Sequence, residues 1–132
     1  MVSVLIVDDH GPFRASARRL LEAEGVAVVG EAANGQKAIA AARQLQPEMV
    51  LLDVQLPDVD GFEVAARLAA LGVRSDVVLT SNRAATEYGP LLAQAPVRGF
   101  IPKEELSGAA LTGLRAGVGP KKRSSEPETP NC

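Results

Sequence analysis

Apolar residues along this chain fall into two alternating patterns. Short continuous runs end at charged or turn-forming residues: Val2-Ser3-Val4-Leu5-Ile6-Val7, Val26-Ala27-Val28-Val29-Gly30, Met49-Val50-Leu51-Leu52-Asp53, Asp76-Val77-Val78-Leu79-Thr80-Ser81 and Val97-Arg98-Gly99-Phe100-Ile101. Runs of this length and composition read as buried strands. Between them apolar residues recur at helical spacing, and the spacing predicts inward faces of Phe13, Ala17, Leu20 and Leu21, then Ala38, Ile39, Ala42 and Leu45, then Phe62, Ala65, Leu68 and Ala69, then Ala110, Leu111 and Leu114. Asn34, Asp60 and Ser107 stand where N-caps are needed, while Gly25, Pro47 and Gly72 stand where helices should stop. Residues 82–95 read as a helix through Arg83–Tyr88, but Gly89-Pro90 interrupts the pattern and predicts a kinked, shortened or split element. Five strands alternating with five helical segments imply βαβ units, hence an α/β fold with a doubly wound parallel sheet and helices on both faces.

Composition narrows the function classes. A chain of 132 residues is long enough for one good core. Its 46% hydrophobic and 23% charged content is ordinary for a soluble domain. A net charge of -2 leaves no electrostatic footprint for nucleic acid or an anionic membrane. The single cysteine is Cys132, so neither a disulfide framework nor a cysteine metal site is expected. Asp8 and Asp9 break the first apolar run too early for a signal peptide, and no run approaches the roughly 20 residues of a membrane span. These readings predict a cytoplasmic domain over residues 1–116. They also predict a disordered polar tail over 117–132, with Lys121-Lys122-Arg123 in it as solvated charge.

The chemistry lies where the strands end. In a parallel doubly wound sheet the C-terminal ends of neighbouring strands converge. The first run is followed by Asp8 and Asp9; the third ends in Asp53, the fourth in Thr80 and Ser81, and the fifth leads through Pro102 to Lys103. Taken singly, Asp53 could be a turn residue and Lys103 a surface charge. Brought together, three carboxylates repel one another and call for a cation. An oxygen-only donor set points to a hard divalent ion, best Mg²⁺. A carboxylate beside such an ion, a hydroxyl and a lysine can receive a phosphoryl group, a reaction that asks mainly for positioning and charge neutralisation.

Four ordered motifs, Leu5-Ile6-Val7-Asp8-Asp9-His10, Val50-Leu51-Leu52-Asp53-Val54-Gln55-Leu56-Pro57, Asp60-Gly61 and Gly99-Phe100-Ile101-Pro102-Lys103, make residues 2–116 resemble the receiver domain of two-component response regulators, most closely the receivers of LuxR-type (NarL/FixJ-like) regulators. The resemblance implies the CheY-like, flavodoxin-like fold with strand order 2-1-3-4-5. It implies Asp53 as the phosphoacceptor, Asp9 as a direct Mg²⁺ ligand, Asp8 as the neighbouring acid acting mainly through water, and the backbone carbonyl of Gln55 as a further ligand. Lys103 would pair with the acceptor and then with the phosphoryl oxygens. Ser81, with Thr80 as the alternate, would be the switch hydroxyl, and Phe100 the aromatic switch. Implied partners are a sensor histidine kinase or phosphotransfer protein and an output partner, with a homodimer through the fourth helix, fifth strand and fifth helix as one use of that face. LuxR-type regulators carry a helix-turn-helix domain after the receiver. The polar tail in its place leads to the expectation of a stand-alone receiver, without direct nucleic-acid binding and not itself an enzyme.

Two other functions compete. A receiver-like module that switches without phosphate would not need the acidic set. A Mg²⁺-dependent phosphohydrolase using Asp53 as nucleophile would want a second acid two residues on as general acid/base; Gln55 stands there and cannot transfer protons. A dinucleotide site is disfavoured because no Gly-x-Gly-x-x-Gly follows the first run.

Overall fold

A continuous apolar strand needs cover on both faces, and Met49–Asp53 has it, each of its residues being buried. The structure, a computed structural model, describes residues 1–115; the expected tail lies outside the described residues. In chain order the elements are β1 (Ser3–Val7), α1 (Gly11–Ala23), β2 (Ala27–Ala32), α2 (Gly35–Leu45), β3 (Met49–Asp53), α3 (Gly61–Ala70), β4 (Asp76–Ser81), a 3₁₀ turn (Ala85–Glu87), α4 (Pro90–Gln94), β5 (Gly99–Pro102), a second 3₁₀ turn (Lys103–Glu105) and α5 (Gly108–Thr112). The strands form one parallel sheet in the order β2-β1-β3-β4-β5.

Side-chain alternation along the strands sorts the core into two layers. Leu5, Val7, Val50, Leu52 and Leu79 face Ala38 and Ala42 of α2 and Val64, Ala65 and Leu68 of α3. Val4, Ile6, Met49, Leu51 and Val78 face Ala17 and Leu21 of α1 and Leu111 of α5. The chain turns in opposite directions from β1 and from β3, so the crevice between their C-terminal ends is the topological switch point where such sheets bind ligands.

The predicted caps are made. Asn34 accepts a hydrogen bond from the Lys37 N–H at 2.8 Å, Asp60 from that of Glu63 at 2.8 Å, and Ser107 from that of Ala110 at 2.9 Å. Two further caps come from remote residues. The Asp58 carboxylate accepts the Gly35 and Gln36 N–H groups at the start of α2, and both bonds hold its carboxyl below the usual range. The Glu24 carboxylate accepts the Gly108 N–H at the start of α5.

The structure also corrects several inward faces and boundaries. Leu20, Leu45 and Ala69 are exposed rather than inward. On α3 the buried stripe is Val64, Ala65 and Leu68, which turns Ala69 toward solvent. Leu45 ends α2 beside Gly30 of the outermost strand, where little lies beyond to cover it. The second strand begins one residue later than Val26 and runs on to Ala32, because its pairing with β1 continues to Val7. The fifth begins at Gly99, not Val97, and includes Pro102. Leu114 packs on the core from beyond the end of α5. The segment 82–95 is split: Tyr88 ends the 3₁₀ turn, Gly89 takes φ +50° and ψ −128°, and Pro90 starts α4. That backbone conformation is open essentially to glycine alone, and proline cannot continue a helix but can begin one.

Candidate functional site

The crevice is acidic at its floor. Asp8 follows β1 and is fully buried; Asp53 ends β3 and is 5% exposed; Asp9 is exposed at the rim. Carboxylate oxygens of all three lie within 4.8 Å of one another. Asp8 Oδ1 accepts the His10 N–H at 2.8 Å, and the Asp8 carbonyl accepts the Arg14 guanidinium at 2.6 Å, which ties the start of α1 to the end of β1. Asp53 Oδ1 accepts the Gln55 N–H at 3.2 Å, a turn that folds the chain away from the strand end.

Lys103 enters from the end of β5. Its ammonium lies 2.7 Å from Asp8 Oδ2 and 3.5 Å from Asp53 Oδ2, and it sits 4.4 Å from the centroid of the Phe13 ring. One lysine thus faces two buried acids, with Asp9 close by. The imbalance appears in Asp53, whose carboxyl is pushed from 3.8 to about 6, chiefly by burial and then by the Asp8 charge; the Gln55 N–H and Lys103 oppose the shift without cancelling it. Asp8 Oδ2 accepts no aligned hydrogen bond among the described residues. Its one close contact is the Lys103 ion pair, and three carboxylates balanced by a single lysine are a donor set suited to a hard divalent cation such as Mg²⁺.

The backbone around Asp53 is closely packed. The Gly61 N–H donates to the Val54 carbonyl at 2.7 Å, and a Cβ on Gly61 would stand 2.5 Å from the Asp53 carbonyl oxygen. Only glycine lets the first turn of α3 approach the end of β3 this closely. The Asp60-Gly61 pair therefore does two tasks, capping the helix and seating it against the strand that carries Asp53.

The two hydroxyls at the end of β4 part company. Thr80 is level with Asp53 in the sheet register and is buried, and its Oγ1 donates to the Ile101 carbonyl of β5 at 2.6 Å. Ser81, one residue further along, has its Oγ 2.7 Å from the Tyr88 hydroxyl and accepts the Arg83 N–H at 3.0 Å. Tyr88 stands between two rings, 5.6 Å from Phe62 edge-on and 5.7 Å from Phe100. Phe100 is half-buried and packs on the α2/α3 core layer. Gln55 is exposed.

The crevice thus gathers Asp8, Asp9, Asp53 and Lys103, with the Gln55 N–H on Asp53, while Ser81 and Phe100 both touch or approach Tyr88. Tyr88 carries no site signal of its own in the sequence, because it lies in the one helical segment whose pattern is broken. The available signal was its place seven residues after Ser81 and immediately before Gly89-Pro90. The helical spacing of Phe13 marks it as core and does not single it out as a neighbour of Lys103.

Comparison with known proteins bears on the family and the fold. The family model "Response regulator receiver domain" matches residues 4–112. BvgA of Bordetella pertussis is 37% identical over 102 residues, which make up 77% of this chain and 49% of BvgA. The response regulator GacA of Pseudomonas aeruginosa is 35% identical over 104 residues, 78% of this chain and 49% of GacA. The chain therefore spans about half the length of these relatives. Among solved structures, the signal receiver domain of NarL from Mycobacterium tuberculosis superposes with a TM-score of 0.77 at 32% identity, covering 86% of this chain and 95% of that domain. With the five-stranded 2-1-3-4-5 sheet already established, a match across nearly all of the folded region places this chain in the response regulator receiver domain family.

Proposed function

We propose that this domain accepts a phosphoryl group on Asp53 from a sensor histidine kinase or phosphotransfer protein and passes the signal on through the face built by α4, β5 and α5. The observation that carries this reading is the Asp8–Lys103–Asp53 cluster, one lysine shared by two buried acids with a third acid at the rim. Asp8, Asp9, Asp53 and the Gln55 carbonyl would hold Mg²⁺, which when bound supplies positive charge to neutralise the crowded carboxylates and the phosphoryl oxygens. The remaining work falls to the chain. An oxygen of Asp53 attacks phosphorus, the P–N bond of the donor phosphohistidine breaks, and the imidazole leaves with the electron pair. Lys103 keeps its charge on the phosphoryl oxygens as the acyl phosphate forms. Ser81 supplies the hydroxyl that bonds the new group, Thr80 being spent on the Ile101 carbonyl.

Storage rather than turnover follows from Gln55. Two residues beyond Asp53, an amide side chain offers no proton for general acid/base hydrolysis. The phosphoryl group adds a charge of about −1.5 to −2 and three acceptor oxygens at one end of β4. That charge biases the neighbouring surface, which a protein partner or a second copy of the domain can read.

Incubation of the protein with Mg²⁺ and acetyl phosphate, followed by intact mass measurement, tests the reading. The expected result is a single phosphoryl adduct that Asp53→Ala abolishes. No adduct, under conditions in which another receiver is labelled, would remove the proposal. An adduct that survives Asp53→Ala would place the acceptor elsewhere.

A further inference from the structure

The Ser81 hydroxyl is already engaged. It has one proton to donate and two lone pairs. The Arg83 N–H takes a lone pair at 3.0 Å, and the Tyr88 hydroxyl stands 2.7 Å away. Ser81 is 1% exposed, so no bulk water stands ready to replace a lost partner. Tyr88 is itself held in place: its ring is packed between Phe62 and Phe100. Its N–H donates to the Ala85 carbonyl, closing the 3₁₀ turn, and its carbonyl accepts the Leu91 N–H in the first turn of α4. The next residue, Gly89, occupies a glycine-only conformation, and Pro90 fixes the direction in which α4 sets out. One side chain therefore joins the end of β4 to the corner from which α4 starts.

We propose that Tyr88 is a latch on Ser81: its hydroxyl holds the serine in the resting state, competes with a phosphoryl group on Asp53 for it, and so couples phosphorylation to the corner that begins α4. The inference rests on Asp53 being the phosphoacceptor. The ring that meets the β4 hydroxyl comes from the turn before α4, whereas the β5 aromatic, Phe100, has no hydroxyl and can only pack against Tyr88. When Ser81 turns to bond a phosphoryl oxygen, the Tyr88 hydroxyl loses its partner, and the 3₁₀ turn and the first turn of α4 are freed to move with it. Tyr88 is a positioning residue, acting on the site through Ser81.

The chain contains a single tyrosine and no tryptophan, so its intrinsic emission reports Tyr88 alone. The full chain is treated with Mg²⁺ and acetyl phosphate while emission and intact mass are followed together. In the wild type, the emission should change in step with the phosphoryl adduct and move toward that of untreated Ser81→Ala, in which the latch has no partner. Tyr88→Phe keeps the ring between Phe62 and Phe100 and removes only the competing hydroxyl. It should form the adduct about five-fold faster, the equivalent of one neutral hydrogen bond. That gain should vanish when Tyr88→Phe is combined with Ser81→Ala, which a merely structural role would not produce. A wild-type adduct with unmoved emission, together with an unchanged or slower rate in Tyr88→Phe, overturns the latch while leaving Asp53 in place. Absence of a wild-type adduct overturns the reading of Asp53 and the latch with it.

Discussion

Replacing Asp53 by asparagine should stabilise the metal-free protein at neutral pH, although it removes the residue on which the site is built. Burial and the neighbouring Asp8 raise the Asp53 carboxyl from 3.8 to about 6, so the folded state holds that proton more tightly than the unfolded chain does. Above about pH 6 folding carries the full cost of an ionised Asp53. The cost shrinks as pH falls from about 6 toward 4, and below about 4 the carboxyl is protonated in both states and the cost is gone. A shift of about two units at about 1.4 kcal/mol each is worth about 3 kcal/mol. The amide can still accept the Gln55 N–H. It gives up the longer of the two Lys103 contacts, 3.5 Å, and leaves the 2.7 Å contact with Asp8 intact. Urea unfolding in EDTA, followed by far-UV circular dichroism at pH 7.5 and pH 4.5, measures the difference. The expected outcome is Asp53→Asn more stable by about 2–3 kcal/mol at pH 7.5, a midpoint shift of about 1–2 M urea, with about 1 kcal/mol remaining at pH 4.5. A gain of the same size at both pH values, or a loss at pH 7.5, would refute the reasoning.

Three further outcomes follow from the same geometry. Lys103→Ala leaves Asp8 and Asp53 buried without their shared cation and should cost about 3 kcal/mol at pH 7.5 in EDTA, with part of the loss recovered by millimolar Mg²⁺ in thermal melts. Gly61→Ala would drive a Cβ against the Asp53 carbonyl, a backbone atom that cannot swing aside, and should cost about 2 kcal/mol or more in urea unfolding. Thr80→Val leaves the Ile101 carbonyl without its donor and should cost about 1–2 kcal/mol while the phosphoryl adduct still forms; Ser81→Ala should change the rate of adduct formation and leave stability within about 1 kcal/mol, so measuring both quantities on both variants separates the two hydroxyls.

Much of this molecule is legible in its chain. The run from Met49 to Leu52 is apolar throughout because the strand is buried on both faces, and that alone indicates a central parallel strand. Asn34, Asp60 and Ser107 cap helices through bonds spanning three residues, so their roles can be read locally. The acids, hydroxyls and lysine follow strand ends, and parallel topology brings strand ends together. Their gathering therefore follows from order along the chain.

Other features were settled by contacts that no local pattern encodes. Adjacent hydroxyls on one strand look alike in sequence; Thr80 and Ser81 were separated only when a β5 carbonyl met one and a tyrosine from the turn before α4 met the other. Leu20, Leu45 and Ala69 satisfy helical periodicity but are exposed, Leu45 beside the outermost strand and Ala69 off the buried stripe of α3, so spacing overstates their burial. Sequence by itself determined which groups would follow the strands, because the succession of elements along the chain and the alternation within them are local properties. Only tertiary structure decided how those groups divide: Lys103 shared between Asp8 and Asp53, and Ser81 engaged by Tyr88. These are distances between residues 7 to 95 positions apart, and packing alone sets them.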